Sequence, residues 1–471
     1  MPTHEAGALH AGIPAPAWLE VPADVNALFQ PLWPRTAFKK DDAVLQVGGI
    51  TVTDLAAQVG TPAYVVDETD FRARATEFKE SFATAFADLA GARVHYASKA
   101  LITVGIARWL VEDGLAVDVS SAGELEIVTR AGMPPDRITV HGSNKRDAYL
   151  ERALATGVGR IVVDSLQEID QVERIAAATS TVAPVQLRCS IGIEAHTHEF
   201  IATSHEDQKF GLSLADGQAM EGARRAAAAP HIEFLGIHSH IGSQIFDVEA
   251  FAQAIRRLVK FTALLDASLG GPLTELGLGG GFGVAYTTGH DPMPIPEIAQ
   301  GMADLVAREC QREKIGVPHV SVEPGRAIAG PAGITIYTVG VVKEVTIPGG
   351  GKRLYVSVDG GMSDNIRTAL YGADYSATLA SRRSAAPPRL ARVVGVHCEA
   401  GDIVVEDEYL PADIAAGDIL AVPVTGAYCH SMGSNYNQVP RPPIVAVRDG
   451  LANVLVRRET QADLLARDLY A

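Results

Sequence analysis

From about residue 90 the chain settles into a rhythm of short β-branched runs followed by longer Ala-, Glu- and Arg-rich stretches with helical spacing. The β-branched runs are Val94–Ala97, Ala116–Val119, Ile138–His141, Ile161–Val163, Val185–Ile191, Phe234–His238, Glu275–Leu278 and His319–Val322. Apolar residues that recur every three or four positions bury one face of a helix. GELEIVTRAG (Gly123–Gly132) and FAQAIRRLVKFTALLDAS (Phe251–Ser268) have that pattern, and every run but the last leads clearly into such a stretch. Strands alternating with helices call for parallel strands and crossover helices, and eight such units predict a closed TIM-like (β/α)8 barrel. The alternative is an open doubly wound sheet, which would carry one phosphate loop near its first strand. Here the informative residues stand at the ends of several strands, which favours the barrel.

After residue 335 the period changes. TIYTVGVVKEVTI, RLYVSVD, RLARVVGVHC, ILAVPVTGAY and PPIVAVRDG are alternating or apolar runs separated by Gly and Pro, so a C-terminal all-β domain is expected. An earlier run, Ala63–Val66, precedes the barrel count and is assigned to the same β domain. The predicted division is a poorly ordered, Ala/Pro/Gly-rich stretch over 1–20, an N-terminal segment over 21–67 that joins the β domain, a barrel over 68–335 and the β domain over 336–471. A loop from His196 to Gly211 lengthens the fifth strand-to-helix connection.

Composition narrows the function. A net charge of −16 argues against a nucleic-acid partner, which needs a basic footprint. No apolar stretch approaches the roughly 20 residues of a membrane span, and the first residues lack the basic-then-apolar form of a secretory signal. The four cysteines, Cys189, Cys310, Cys398 and Cys429, form no CxxC pair and no disulfide framework. A cytoplasmic protein is expected.

The candidate chemistry sits at strand ends. HYASKA (His95–Ala100) reads as a strand running into Lys99, where a lysine can be desolvated and tuned as a Schiff-base nucleophile. In LGLGGGFG, Gly279, Gly280 and Gly281 let backbone N–H groups approach a phosphate. EPGR sets Glu323 and Arg326 on either side of Pro324 and Gly325. Such a carboxylate can keep a ring nitrogen protonated, and the guanidinium can hold a phosphate or carboxylate bidentately. HSHIGSQ supplies His238, His240 and Ser243, read as one imidazole stacked on a ring and a hydroxyl on phosphate. A metal at these histidines lacks a third ligand at a familiar spacing, and none is predicted. His196, His198 and His205 read as a solvated loop. CEAGD places the thiol of Cys398 beside Glu399. A buried cysteine is commonly inert, but a tuned thiol can deliver a proton to a carbanion.

Seven motifs in one order, HYASKA, HSHIGSQ, GGG, EPGR, GMSDNIRTALYG, HCEAGD and GAYCHSMGSNYN, make the chain similar to the fold-type III pyridoxal-phosphate decarboxylases, most closely the diaminopimelate decarboxylase family, from about residue 45 to about 460. The resemblance implies pyridoxal 5'-phosphate on Lys99, with Asp118, His240, Ser243, Gly279, Gly280, Gly281, Glu323, Pro324, Gly325, Arg326 and Tyr428 around it. It implies Lys99 and Cys398 as catalytic residues, and a homodimer in which Cys398 and Glu399 reach the partner's cofactor. Substrate residues would be Arg326, Arg367, Tyr371, Glu399 and Tyr428. Diaminopimelate carries a carboxylate as well as an ammonium at its far end, and Arg367 with Tyr371 looks like the added cation site. Ala400 stands where the family often has Ser, and Thr368 where it often has Pro. The implied reaction converts diaminopimelate to L-lysine and CO2. The alternatives are a decarboxylase of a polyamine precursor of the carboxynorspermidine or arginine type, a racemase on the same barrel, and a catalytically silent relative that binds a protein. A racemase of this fold tends to place arginine, not glutamate, at the ring nitrogen, and a silent relative tends to lose the lysine or the thiol.

Overall fold

The computed structural model describes residues 15–192, 209–347 and 351–470. Residues 1–14 of the stretch expected to be poorly ordered, and most of the His196–Gly211 loop with its three histidines, lie outside the described residues. The chain divides into two compact units. One comprises Arg72–Gly283 and Pro292–Ala327, and the other comprises everything up to Phe71 together with Val284–Asp291 and Ile328–Ala471.

The first unit is the barrel that the alternating pattern predicts. Its strands are β1 (Ala92–Ala97), β2 (Ala116–Val119), β3 (Ile138–Val140), β4 (Arg160–Val163), β5 (Ala183–Ser190), β6 (Ile232–His238), β7 (Glu275–Gly277) and β8 (His319–Val322). Each pairs in parallel with its neighbours, and β8 closes on β1 through Val320–Ala92 and Val322–Val94. Helix starts follow local chemistry. Thr103, Ser121, Ser165 and Asp247 each accept a backbone N–H from the first turn of the helix they precede. Polar residues fill part of the barrel interior. Arg160 Nε donates to Glu275 at 2.5 Å, and Gln186 donates to the same carboxylate at 2.8 Å. Arg160 and Glu275 open their strands, so this ion pair lies toward the strand-start end and leaves the opposite end to the chemistry.

The second unit is β-rich. Its longest strand, Gly333–Thr346, pairs antiparallel with Ala63–Asp67, Lys352–Val358 and Ile419–Pro423. Ala63–Asp67 also pairs in parallel with Ile444–Arg448, so the early run joins the β domain as its sequence suggested. Val65, Ile334, Ile336, Leu420, Val422 and Val445 are fully buried and form the core between these pairings. The short strands Phe38–Lys39, Leu45–Val47, Ile50–Thr51 and Thr378–Leu379 escaped the sequence reading, as did two longer ones, Ile403–Pro411 and Leu451–Val456. Of the longer two, the first has three consecutive acidic residues within IVVEDEYLP, and the second is a largely exposed edge, so neither shows an alternating apolar face. The expected boundary after 335 falls inside Gly333–Thr346, because that strand begins only a few residues after the short helix Arg326–Ala329.

Candidate active site

Parallel strands in a barrel all end at one face, and that face gathers the singled-out residues of the first unit. Lys99 follows β1 by two residues and is exposed, while Ser98 beside it is buried. Asp118 lies on β2 and is buried. His240 and Ser243 follow β6, Gly279–Gly281 follow β7, and Glu323–Arg326 follow β8. Backbone bonds stitch these loops together. Ser98 N–H donates to the Asp118 carbonyl at 3.3 Å, Ala97 N–H to that of Pro324 at 3.2 Å and Glu323 N–H to that of Gly279 at 2.9 Å.

The glycine run is locked by contact. A Cβ on Gly280 would sit 2.3 Å from the Glu323 carbonyl, and one on Gly281, at φ +107°, 2.6 Å from the Gly242 carbonyl. Only glycine fits there. Next to it, Arg326 Nη2 donates to Ser243 Oγ at 2.9 Å. Gly280 N–H donates to His240 Nδ1 at 3.0 Å, which leaves the imidazole proton on Nε2 and fixes the ring's orientation.

Glu323 has a company of its own. His238 Nε2 donates to its Oε1 at 3.0 Å, and His141 Nε2 lies 3.2 Å from the same oxygen. Burial works against the Glu323 charge, but His238 and His141 outweigh it and hold the carboxyl well below its usual range. Burial also pushes His141 down to about 4, so that imidazole is neutral at pH 7. Burial, then the charges of Lys99 and Arg188, push His240 well below the ordinary histidine value. Asp118 moves the other way: burial and the Glu323 charge raise it, and Lys99 opposes them. Arg188 on β5 has its guanidinium 4.3 Å from the Phe210 ring centre, and burial lowers its pKa. His141, His238 and Glu323 offer three potential ligand atoms within 4.8 Å of one another. Folding thus supplies the third potential ligand that local spacing lacked, and His238 Nε2 donates a hydrogen bond to that carboxylate.

The second unit holds the other singled-out residues. Arg367 is buried, and its Nη1 donates to Tyr286 Oη at 2.7 Å and to Tyr375 Oη at 2.9 Å. Its guanidinium lies 5.9 Å from the Tyr371 ring centre and 6.0 Å from that of Tyr428. Cys398 is exposed and the other three cysteines are buried. Glu399 is exposed as well, in a turn whose His397 is buried. His397 Nε2 meets Ser363 Oγ at 2.8 Å, and its Nδ1 meets Asn437 Oδ1 at 3.1 Å.

Residues 69–330 match the family described as pyridoxal-dependent decarboxylase, pyridoxal binding domain. Diaminopimelate decarboxylase of Mycobacterium tuberculosis is 49% identical over 442 residues, covering 93% of this chain and 98% of that protein. This chain belongs to the diaminopimelate decarboxylase family. The Bacillus subtilis member is 42% identical over 90% of this chain and 95% of its own length. Among solved structures, the enzyme from M. jannaschii in complex with L-lysine superposes with a TM-score of 0.85 at 29% identity, over 93% of this chain and 98% of that one.

Among the residues of these clusters given no role from the sequence are His141, Arg188, Tyr286 and Tyr375. His141 and Arg188 stand at the ends of β3 and β5, so the strand-end rule that found Lys99 would have found them. Tyr286 and Tyr375 carry no such signal. Tyr286 lies in the short excursion Val284–Asp291 that leaves the barrel unit, and only folding brings it to Arg367.

Proposed function

We propose that this chain removes one carboxylate from meso-2,6-diaminoheptanedioate to give L-lysine and CO2, with pyridoxal 5'-phosphate as cofactor. The near full-length identity to diaminopimelate decarboxylases carries this reading. Three features of the barrel end support the cofactor. Gly279–Gly281 offer a side-chain-free approach for a phosphate, with Ser243 and Arg326 beside it. Asp118 Oδ1 is a buried polar atom with no hydrogen-bond partner among the described residues, an arrangement expected where a ligand completes the site. Glu323, kept ionised, suits a protonated ring nitrogen.

Pyridoxal phosphate, when bound, supplies the electron sink that makes loss of a carboxylate from an amino acid accessible. The rest falls to the chain. Lys99 carries the cofactor covalently. His240, its orientation set by Gly280 N–H, packs on the ring, and Pro324 and Gly325 hold Glu323 and Arg326 against β1. Tyr428 contacts cofactor and substrate. Arg367 with Tyr371, aided by Arg326, holds the distal carboxylate, and Glu399 takes the distal ammonium. The far end, which does not react, thereby chooses the carboxylate that leaves. Cys398 returns a proton to the carbon that lost CO2. The exposure of Cys398 and Glu399 suits a homodimer in which both serve the partner's site, and four free cysteines suit a cytoplasmic setting.

The test is a panel of diaminopimelate, lysine, ornithine, arginine and carboxynorspermidine, offered to purified protein with added cofactor, with released CO2 and amine product measured. The reading predicts turnover of diaminopimelate to lysine. Preference for a substrate without a distal carboxylate would overturn it.

A further inference from the structure

We propose that Tyr286 and Tyr375 are positioning residues that pin the Arg367 guanidinium so that only its Nε–Nη2 edge is offered, to the distal carboxylate of the substrate. The proposal rests on the reading above and deepens it by naming what aims the specificity cation.

Guanidinium has five N–H bonds in a rigid planar fork, two of them on Nη1. Both Nη1 hydrogens are taken: one phenol oxygen accepts at 2.7 Å and the other at 2.9 Å. Nε and Nη2 donate to no group among the described residues, and these two nitrogens form the side-on edge that matches the two oxygens of a carboxylate. Arg367 retains only 4% of its surface, yet no Asp or Glu among the described residues pairs with it. A buried cation without a counter-ion is costly, and an arriving anion relieves that cost. Tyr375 does not serve as a counter-ion itself, because burial holds its phenol well above the ordinary range. Tyr286 and Tyr375 meet edge to face at 5.1 Å, so each ring braces the other. Arg367 also stands 5.1 Å from the Tyr286 ring centre, which limits swinging out of the fork plane. The result is a cation that recognises a carboxylate by orientation as well as charge. A substrate ending in an ammonium alone gains nothing from that orientation.

The experiment uses holoenzyme variants Tyr286→Phe, Tyr375→Phe and the double variant, which keep the rings and remove only the acceptor oxygens. Each single variant is expected to raise KM for diaminopimelate by about fivefold to tenfold, the scale of one hydrogen bond to a charged group, with kcat changed less than about twofold. Inhibition by 1,5-diaminopentane, which carries no carboxylate, should stay within about twofold of wild type, whereas lysine, which keeps the distal carboxylate after the other has left, should weaken along with diaminopimelate. Because both phenols act through one guanidinium, their effects should vanish in an Arg367→Ala background. Arg367→Ala itself should cost about 10- to 100-fold in kcat/KM. Arg367→Lys, which keeps charge but loses the fork, supplies a second route should a Phe variant fold poorly, and should lose preference for diaminopimelate. Equal weakening of 1,5-diaminopentane and diaminopimelate, a fall in kcat at constant KM, or Phe effects that persist without Arg367 would each overturn the proposal. If wild type turns over diaminopimelate and the variants keep its selectivity, only the positioning role falls. If wild type does not turn it over, the functional reading falls and takes the positioning role with it.

Discussion

Asp402 reaches back to His397: its Oδ2 accepts the His397 backbone N–H at 2.6 Å, while its Oδ1 accepts that of Met362, also at 2.6 Å. One carboxylate thereby ties the turn that presents Cys398 and Glu399 to the loop that leads into Arg367. Gly361 and Gly395 make room for it, since a Cβ on either would lie within 2.5 Å of an Asp402 oxygen. Burial raises the Asp402 pKa, and the two backbone donors pull against that rise.

Asp402→Asn should separate these two loops. The amide replaces one acceptor with a donor that faces a backbone N–H, at a cost of about 1–3 kcal/mol. The expected result is a lower melting temperature, about a tenfold loss in kcat/KM, and faster alkylation of Cys398. Cys398 is the one exposed cysteine, so iodoacetamide labelling read by mass spectrometry follows it in native protein. Unchanged labelling and activity would mean the tie has no bearing on the thiol.

Lys99 should be the residue that holds the cofactor. Reduction of the holoenzyme with borohydride, followed by peptide mapping, is expected to find the label on HYASKA. Lys99→Ala should lose covalent attachment and nearly all activity while retaining some cofactor through the glycine run, Ser243 and Arg326. A label on any other lysine would displace this assignment.

The proposal that Cys398 serves the partner's site makes a prediction about mixtures. Lys99→Ala and Cys398→Ala should each be nearly inactive, and reassociating equal amounts should restore about a quarter of wild-type activity, because half the dimers then carry one intact site of two. Sedimentation with differently tagged chains shows whether subunits have exchanged. Exchange without recovery would place each site within a single chain.

Asp364 should shape the pH dependence of stability. Burial, reinforced by the charges of Asp359 and Asp402, pushes its carboxyl up to about 7. An unfolded aspartate titrates near about 3.9. Between those values the folded chain holds more protons, so this group's stabilising contribution is full below pH ~4 and is lost as pH rises through ~7. Asp364→Asn keeps an acceptor for the Gly361 N–H, now at 3.0 Å, and removes the titration. Its melting temperature should exceed that of wild type at pH 8, with the gap closing toward pH 4.5. Parallel melting curves across that range would contradict the account.

Much of the site was legible because of where strands end. Once eight β-branched runs are read as parallel neighbours, Lys99, Asp118, His240, Gly279–Gly281 and Glu323 must share one face, whatever their separation in sequence. His141 and Arg188 obey the same rule and were passed over because neither stands in a conspicuous motif. The acidic strand Ile403–Pro411 was missed for a different reason: its partners on Pro388–Val394 satisfy its backbone, so it needs no alternating apolar face.

The sequence alone determined the order of strands and helices, the closure of the barrel and the grouping of motifs at its chemical end, because periodicity and strand direction are properties of the chain itself. Tertiary structure decided who touches whom in the second unit. Tyr286 meets Arg367 across 81 residues, and Asp402 meets Met362 across 40. Such meetings depend on hydrogen-bond direction and on how far a loop travels before it turns back. No period in the residues between them records either quantity, so only the folded chain shows that the buried Arg367 has two phenols to aim it.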